Sequence, residues 1–263
     1  MDFPNFKNKH KNDSVFSPRD FLEYQKKKKK LKKFKIPKGI IFCYSNNLIE
    51  SILKNHKTTK IKGFGWEMYL LNKTKNEIAV IGRFGAGAPV AVSTLEELVA
   101  LGIKSFISIG MAGSLQKNIK LGDLVVCEKA IRDEGTSHHY LKPSKYAYAS
   151  KKITEEIKKS LNNFGIKYTT GVNWTIDAPY RETVAEVKKY QTEGVSTVEM
   201  ESSALFAAAQ YRMVELGTIF VISDSLAELK WQPGFHFKKI RIKLENLFEV
   251  AVGVLLKNNE KKN

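Results

Sequence analysis

Two cysteines, Cys43 and Cys127, are all that the 263 residues contain. Both sit in apolar runs, so the chain has no disulfide framework, and thiols of this kind suit a reducing, cytoplasmic setting. Apolar residues never run for the ~18 or more positions that a membrane helix needs. The N-terminus has neither the apolar stretch nor the small-residue cleavage site of a secretory leader. No membrane partner is therefore expected. Acidic residues are also scarce: 27 Asp and Glu face 44 Lys and Arg, a net charge of +17. Residues 1–38 alone hold 13 Lys and Arg against 4 Asp and Glu, about half of that excess. The dense run Lys26–Lys30, continued by Lys32, Lys33 and Lys35, reads as the solvated face of a terminal helix. No RNP motif, zinc-finger spacing or aromatic-interleaved basic repeat accompanies it, so nucleic acid is not an expected partner.

What is present is an alternation of strand and helix patterns that begins at Pro37. Residues 1–36 form a basic N-terminal extension, with Ser17-Pro18-Arg19-Asp20 as a helix start and Phe21, Leu22 and Leu31 as a thin apolar stripe. Residues 37–263 form one domain. Strands are predicted at Gly39–Tyr44, Trp66–Leu71, Glu77–Phe84, Ser105–Ile109, Asp123–Arg132, Ile166–Thr175 and Thr218–Ser223. Helices are predicted at Asn46–His56, Pro89–Leu101, Tyr146–Phe164, Arg181–Tyr190, Met200–Tyr211 and Phe237–Leu256. Such alternation implies an α/β fold: a central mixed, twisted β-sheet flanked by helices in three layers. Ligands of such sheets bind beyond the carboxyl ends of the strands. Here those ends are Tyr44-Ser45-Asn46, Arg83–Gly87, Gly110–Gly113, Thr175–Tyr180 and Ser223–Ser225.

Several of these segments carry chemistry. Arg83-Phe84-Gly85-Ala86-Gly87-Ala88-Pro89 joins a strand to a helix; its glycines let backbone approach an anion at the helix N-terminus, and Arg83 adds a forked donor. It is neither a P-loop nor a dinucleotide fingerprint. Val198-Glu199-Met200-Glu201-Ser202 puts two carboxylates at a helix start, either as plain helix-start chemistry or to grip vicinal hydroxyls. Ser223-Asp224-Ser225 offers an aspartate at a strand end, as a cap or as a general acid. Trp174–Thr183 mixes aromatic and polar groups as a base pocket would, or is a capped strand-to-helix loop. His138 and His139 lack the partners of a metal site, so no metal is expected.

Together these segments resemble the nucleoside phosphorylase superfamily, in its uridine phosphorylase and bacterial-type purine nucleoside phosphorylase branch. The resemblance runs from about Ile78 to Ser225 and is carried by Glu96-Glu97-Leu98 through Gly113, Gly122–Val126, Val198–Glu201 and Ser223-Asp224. It implies phosphorolysis of an N-glycosidic bond, giving a free base and ribose 1-phosphate, with inorganic phosphate as co-substrate and no cofactor. Glu201 would hold the ribose hydroxyls with Met200 packed on the sugar, and Glu199 would line the same pocket. Tyr180 would lie against base or sugar, with Thr175 and Arg181 beside it. Asp224 would serve the departing base as acid, which favours a purine over uridine. Arg83, Gly85, Gly87, Gly110 and Met111 are the candidate phosphate-binding positions. The resemblance also implies a homo-oligomer, a dimer or hexamer. Relatives carry a Gly…Arg phosphate pair after the first strand and an Arg and Ser/Thr around the glycine of the fourth; here those regions read Tyr44–Leu48, Ser108 and Met111. Hydrolysis on the same fold and nucleoside binding without turnover are the alternatives.

Overall fold

The structure is a computed structural model, and it describes residues 4–28, 34–63 and 65–260. Most strands are largely buried and rich in apolar residues. Among these are β1 (Gly39–Cys43), β3 (Glu67–Leu71), β4 (Ile78–Gly82), β5 (Ser105–Ser114), β6 (Leu124–Asp133), β8 (Thr169–Ile176) and β10 (Glu215–Ser225). The remaining strands are β2 (Thr58–Lys62), β7 (Tyr146–Tyr148), β9 (Thr197–Glu199) and β11 (Gln232–Pro233). All eleven join one mixed sheet, in the order β11-β10-β6-β8-β9-β5-β1-β4-β3-β2 with β7 on β6. Because β10 also pairs with β5, strands β5, β10, β6, β8 and β9 close into a ring. In that ring β9 runs antiparallel to β5, which sets Val198 opposite Gly113, and β10 sets Asp224 on the other side of Gly113.

Helices cover both faces, as the alternation predicted. On one side α2 (Asn46–Asn55), α4 (Lys151–Asn163) and α7 (Lys238–Glu260) bury Leu48, Ile52, Ile153, Ile157, Leu244 and Phe248 against the sheet. On the other, α3 (Ala88–Ala100) packs on α6 (Ser202–Tyr211) through Ala91, Leu95, Leu98 and the small row Ala204–Ala209. Alanine on α6 lets the two helices approach closely enough to seat their N-termini side by side. A further helix, α5 (Val184–Thr192), opens with a capping box between Thr183 and Glu186. Among the described residues no helix is long and apolar enough to cross a membrane.

The N-terminal extension contains α1 (Pro18–Lys27), started by a reciprocal Ser17–Asp20 capping box with Pro18 in the first turn. Its Leu22 is buried, and α1 packs against α3. Leu31 and most of the lysine run from Lys29 to Lys33 lie outside the described residues.

Three sequence expectations are corrected. The predicted strand Ser105–Ile109 does not end at Gly110–Gly113. It continues to Ser114, because β10 pairs with it as far as Ser225, across a register shift between Ile222 and Asp224. The predicted helix Tyr146–Phe164 begins only at Lys151, since Tyr146–Tyr148 pairs with β6 instead. The predicted helix Arg181–Tyr190 begins at Val184, after a 3-10 turn over Pro179–Arg181. The polar edge strand β2 and the three-residue β9 were not predicted; neither has enough apolar alternation to announce itself.

Candidate active site

Glu201 lies just past β9, whose Val198 faces Gly113. It precedes α6, is 7% exposed, and accepts a 2.5 Å hydrogen bond from the Gly87 backbone N–H. Gly87 is the N-cap of α3, at φ 103°, and Gly85 has φ 93°. Left-handed backbone of this kind is open to glycine and costly for other residues. The glycine turn foreseen as an anion site thus presents its amide to a carboxylate of the same chain.

Beneath Glu201 lies a second carboxylate. The oxygens of Glu199 accept from Asn173 Nδ2 at 2.6 Å, Thr175 Oγ1 at 2.8 Å, Ser202 Oγ at 3.0 Å and the backbone N–H groups of Glu201 and Ser202. Thr197 in turn donates to Asn173 Oδ1 at 2.9 Å, and the Ser203 N–H donates to Thr175 Oγ1 at 3.0 Å. Five donors to one carboxylate favour its charged form. Burial pushes Glu199 upward against that pull. Glu201 has far fewer donors, and burial together with the charge of Glu199 pushes its carboxyl up to about 8. Burial thus holds a proton in the pair well above the ordinary carboxylate range. These contacts show where two of the expected residues stand. Thr175 has no exposed surface and spends its hydroxyl on Glu199 and α6, so it supports the site from below. Glu199 fixes the start of α6 and so the backbone of Glu201. Met200, between the two in sequence, is half-buried.

Asp224 stands at the carboxyl end of β10. Ser223 Oγ donates to its Oδ1 at 2.8 Å and Trp231 Nε1 to its Oδ2 at 3.0 Å. Gly113 lies below: a Cβ there would come within 3.1 Å of Asp224 Oδ2 and 3.2 Å of Val198. The strand glycine thus makes room for the aspartate. Glu182, half-buried after the 3-10 turn, is pushed up to about 7 by burial and by the charges of Asp224 and Glu186. Tyr180 is fully exposed, and Arg181 is exposed beside it. In a single chain neither touches the rest of the site.

At the other end is an open cavity of about 610 Å³ lined by Tyr44, Asn46, Glu50, Arg83, Gly85 and Ala86. Arg83, the foreseen phosphate donor, is already paired: its guanidinium bonds Glu50 and reaches Glu67 at 3.3 Å. Two carboxylates on one guanidinium leave little positive field for a phosphate. Tyr44 follows β1, and its ring meets Phe84 edge-on at 5.3 Å. Tyr44 also stands over Gly110, where a Cβ would meet its Cδ2 at 3.4 Å, and its hydroxyl is 3.3 Å from Ser108 Oγ. Gly110 is therefore covered by a tyrosine, and Met111 is half-buried in β5. Burial and the nearby Glu201 carboxyl hold the Tyr44 phenol well above its usual range, so it stays neutral.

Sequence reasoning missed Tyr44, Glu50, Glu182 and Trp231. Tyr44 was visible as a strand end and Glu182 within its loop motif, but proximity to Glu201 and Asp224 is set by sheet order, which neither segment encodes. His138 faces the Arg132 carbonyl at 3.1 Å and His139 lies 2.9 Å from Lys9 Nζ. Among the described residues no group of three or more His, Cys, Asp or Glu could hold a metal ion.

Known proteins are similar to this chain in sequence or in fold. An uncharacterized protein of Acanthamoeba polyphaga mimivirus is 36% identical over 141 residues, a match that spans 53% of this chain and 54% of that protein. The purine nucleoside phosphorylase of Toxoplasma gondii, solved with immucillin-H, superposes with a TM-score of 0.73 at 21% identity, covering 86% of this chain and 92% of that one. The AMP nucleosidase of Bacteroides thetaiotaomicron gives a TM-score of 0.73 at 20% identity, covering 93% and 100%. At these identities the two structures speak to the fold alone. A profile of the phosphorylase superfamily matches residues 40–252, most of the chain. With that span matched and the fold shared, the chain belongs to the phosphorylase superfamily.

Proposed function

We propose that the chain cleaves the N-glycosidic bond of a purine nucleoside and that water is the attacking nucleophile. The observation that carries this reading is the pairing of Tyr44 with Ser108 over Gly110, at positions where the superfamily resemblance implies a phosphate cradle. Neutral hydroxyls and the Glu50 and Glu201 carboxyls favour a small uncharged nucleophile over a phosphate anion. Glu201 is proposed to take the ribose hydroxyls, since a carboxylate accepts two O–H donors. Asp224, steadied by Trp231, is proposed to serve the base nitrogen, and the half-buried Glu182 beside it favours a base carrying N–H donors. The superfamily's fold accommodates both a phosphorylase and a nucleosidase, so the nucleophile is argued from side chains.

Phosphorolysis is the second reading. It is favoured by the Gly85-Ala86-Gly87 turn at the α3 N-terminus, whose Gly87 amide would pass from Glu201 to inorganic phosphate. A homo-oligomer, dimer or hexamer, is proposed as well, in which a second copy covers the exposed Tyr180 and Arg181. A cytoplasmic setting is proposed from the free, buried Cys43 and Cys127. The test is a panel of purine and pyrimidine nucleosides incubated with the protein, with and without phosphate, and read for free base. Purine release that ignores phosphate supports the proposal; phosphate-dependent release turns it to the second reading, and no release from any nucleoside defeats both.

A further inference from the structure

The Tyr44 phenol feels the charge of the Glu201 carboxyl, and most of its packing could be kept by phenylalanine. The Tyr44 ring already packs on Phe84 and over Gly110, contacts that need no hydroxyl. The hydroxyl reaches Ser108 Oγ at 3.3 Å, while the same side chain lines the solvent-open cavity with Asn46, Glu50, Gly85 and Ala86. Tyr44 therefore bridges the route by which small molecules enter and the buried carboxyl at the sugar position. Resting on the hydrolytic reading above, we propose that the Tyr44 hydroxyl is a catalytic residue that holds the attacking water against the anomeric carbon, with Ser108 as its positioning partner.

The chemistry balances without a co-reactant. When Tyr44 donates to Ser108, its phenolic lone pairs accept one water proton and turn a water lone pair toward C1′. The C1′–O bond forms as the C1′–N bond breaks, and the bonding pair passes to the base nitrogen. Water sheds one proton to solvent through the open cavity, and the leaving base nitrogen takes one up from solvent at the Asp224 end, so no proton is gained or lost overall. The neutral phenol suits this task, because it accepts a hydrogen bond without placing a second negative charge beside Glu201.

The test is Tyr44→Phe, with Ser108→Ala as the second variant, assayed in phosphate-free buffer alongside the wild type. Tyr44→Phe keeps the ring contacts, so its melting temperature is expected to stay close to the wild type. Its kcat is expected to fall by about 10²-fold, the scale of a misplaced reactant, with KM within about twofold. Ser108→Ala is expected to give a smaller fall in kcat with KM again unchanged. A well-folded Tyr44→Phe with wild-type kcat would overturn the assignment while leaving hydrolysis intact. Wild-type activity that appears only on adding phosphate, or not at all, would overturn the assignment through the reading it rests on.

Discussion

Replacing Glu201 by glutamine is expected to stabilise the protein increasingly as pH rises, while abolishing activity. An unfolded glutamate ionises near 4.5, whereas Glu201 in the folded chain keeps its proton to about 8. Between those values the folded state binds one proton more than the unfolded state. Stability contributed at this position is therefore highest below pH 4.5 and is lost as pH rises through 8. Each pH unit is worth about 1.4 kcal/mol, so the wild type forgoes roughly 3 kcal/mol at pH 7 and roughly 5 kcal/mol above pH 8. Glutamine retains an oxygen for the Gly87 N–H and has no proton to lose. The assay is urea unfolding of both proteins from pH 5 to pH 9, followed by tryptophan fluorescence, for which the fully buried Trp174 is a natural reporter. The gap between the two curves should widen with pH. Parallel curves across that range would refute the view that a buried proton resides on Glu201.

Other outcomes follow from the same contacts. Because only the ionised Glu201 accepts two ribose hydroxyls, KM for nucleoside should fall as pH rises toward about 8 and then level, and a flat KM profile would contradict that role. Glu199→Ala strands Asn173, Thr175 and Ser202 beneath the site and should cost about 3 kcal/mol or more in urea unfolding, against under about 1 kcal/mol for an exposed surface change. Gly87→Ala forces a Cβ onto a backbone at φ 103° and should destabilise by about 1–2 kcal/mol while raising KM, because Glu201 loses its placed partner. Asp224→Ala should cut purine cleavage by about 10²-fold or more and spare any residual uridine cleavage, as a lost general acid would; equal losses on both would show that Asp224 does not act on the purine base.

Much of the fold was legible because its strands are short, apolar and separated by glycine or capped helix starts. The Ser17–Asp20 box, Pro89 in the first turn of α3 and the periodic stripe Ile153, Ile157, Leu161 all announced their elements. Length failed where tertiary pairing overrode local pattern. Gly110–Gly113 looks like a turn yet runs on as strand because β10 pairs with it to Ser114. At the site, Glu201 and Asp224 were readable as carboxylates at a helix start and a strand end. The different fates of Glu199 and Glu201 were not, since they depend on Asn173 and Thr175 from β8 and on Gly87 from α3. The pairing of Arg83 with Glu50 and Glu67 was equally hidden: three elements must assemble before those charges meet.

The most direct test of the attacking group is the identity of the sugar product. A purine nucleoside labelled with carbon-13 at C1′ would be turned over in phosphate buffer, where both nucleophiles are available, and the product followed by NMR. Hydrolysis predicts the anomeric signals of free ribose, without coupling to phosphorus. An anomeric carbon split by phosphorus would show ribose 1-phosphate and contradict the assignment of water as nucleophile.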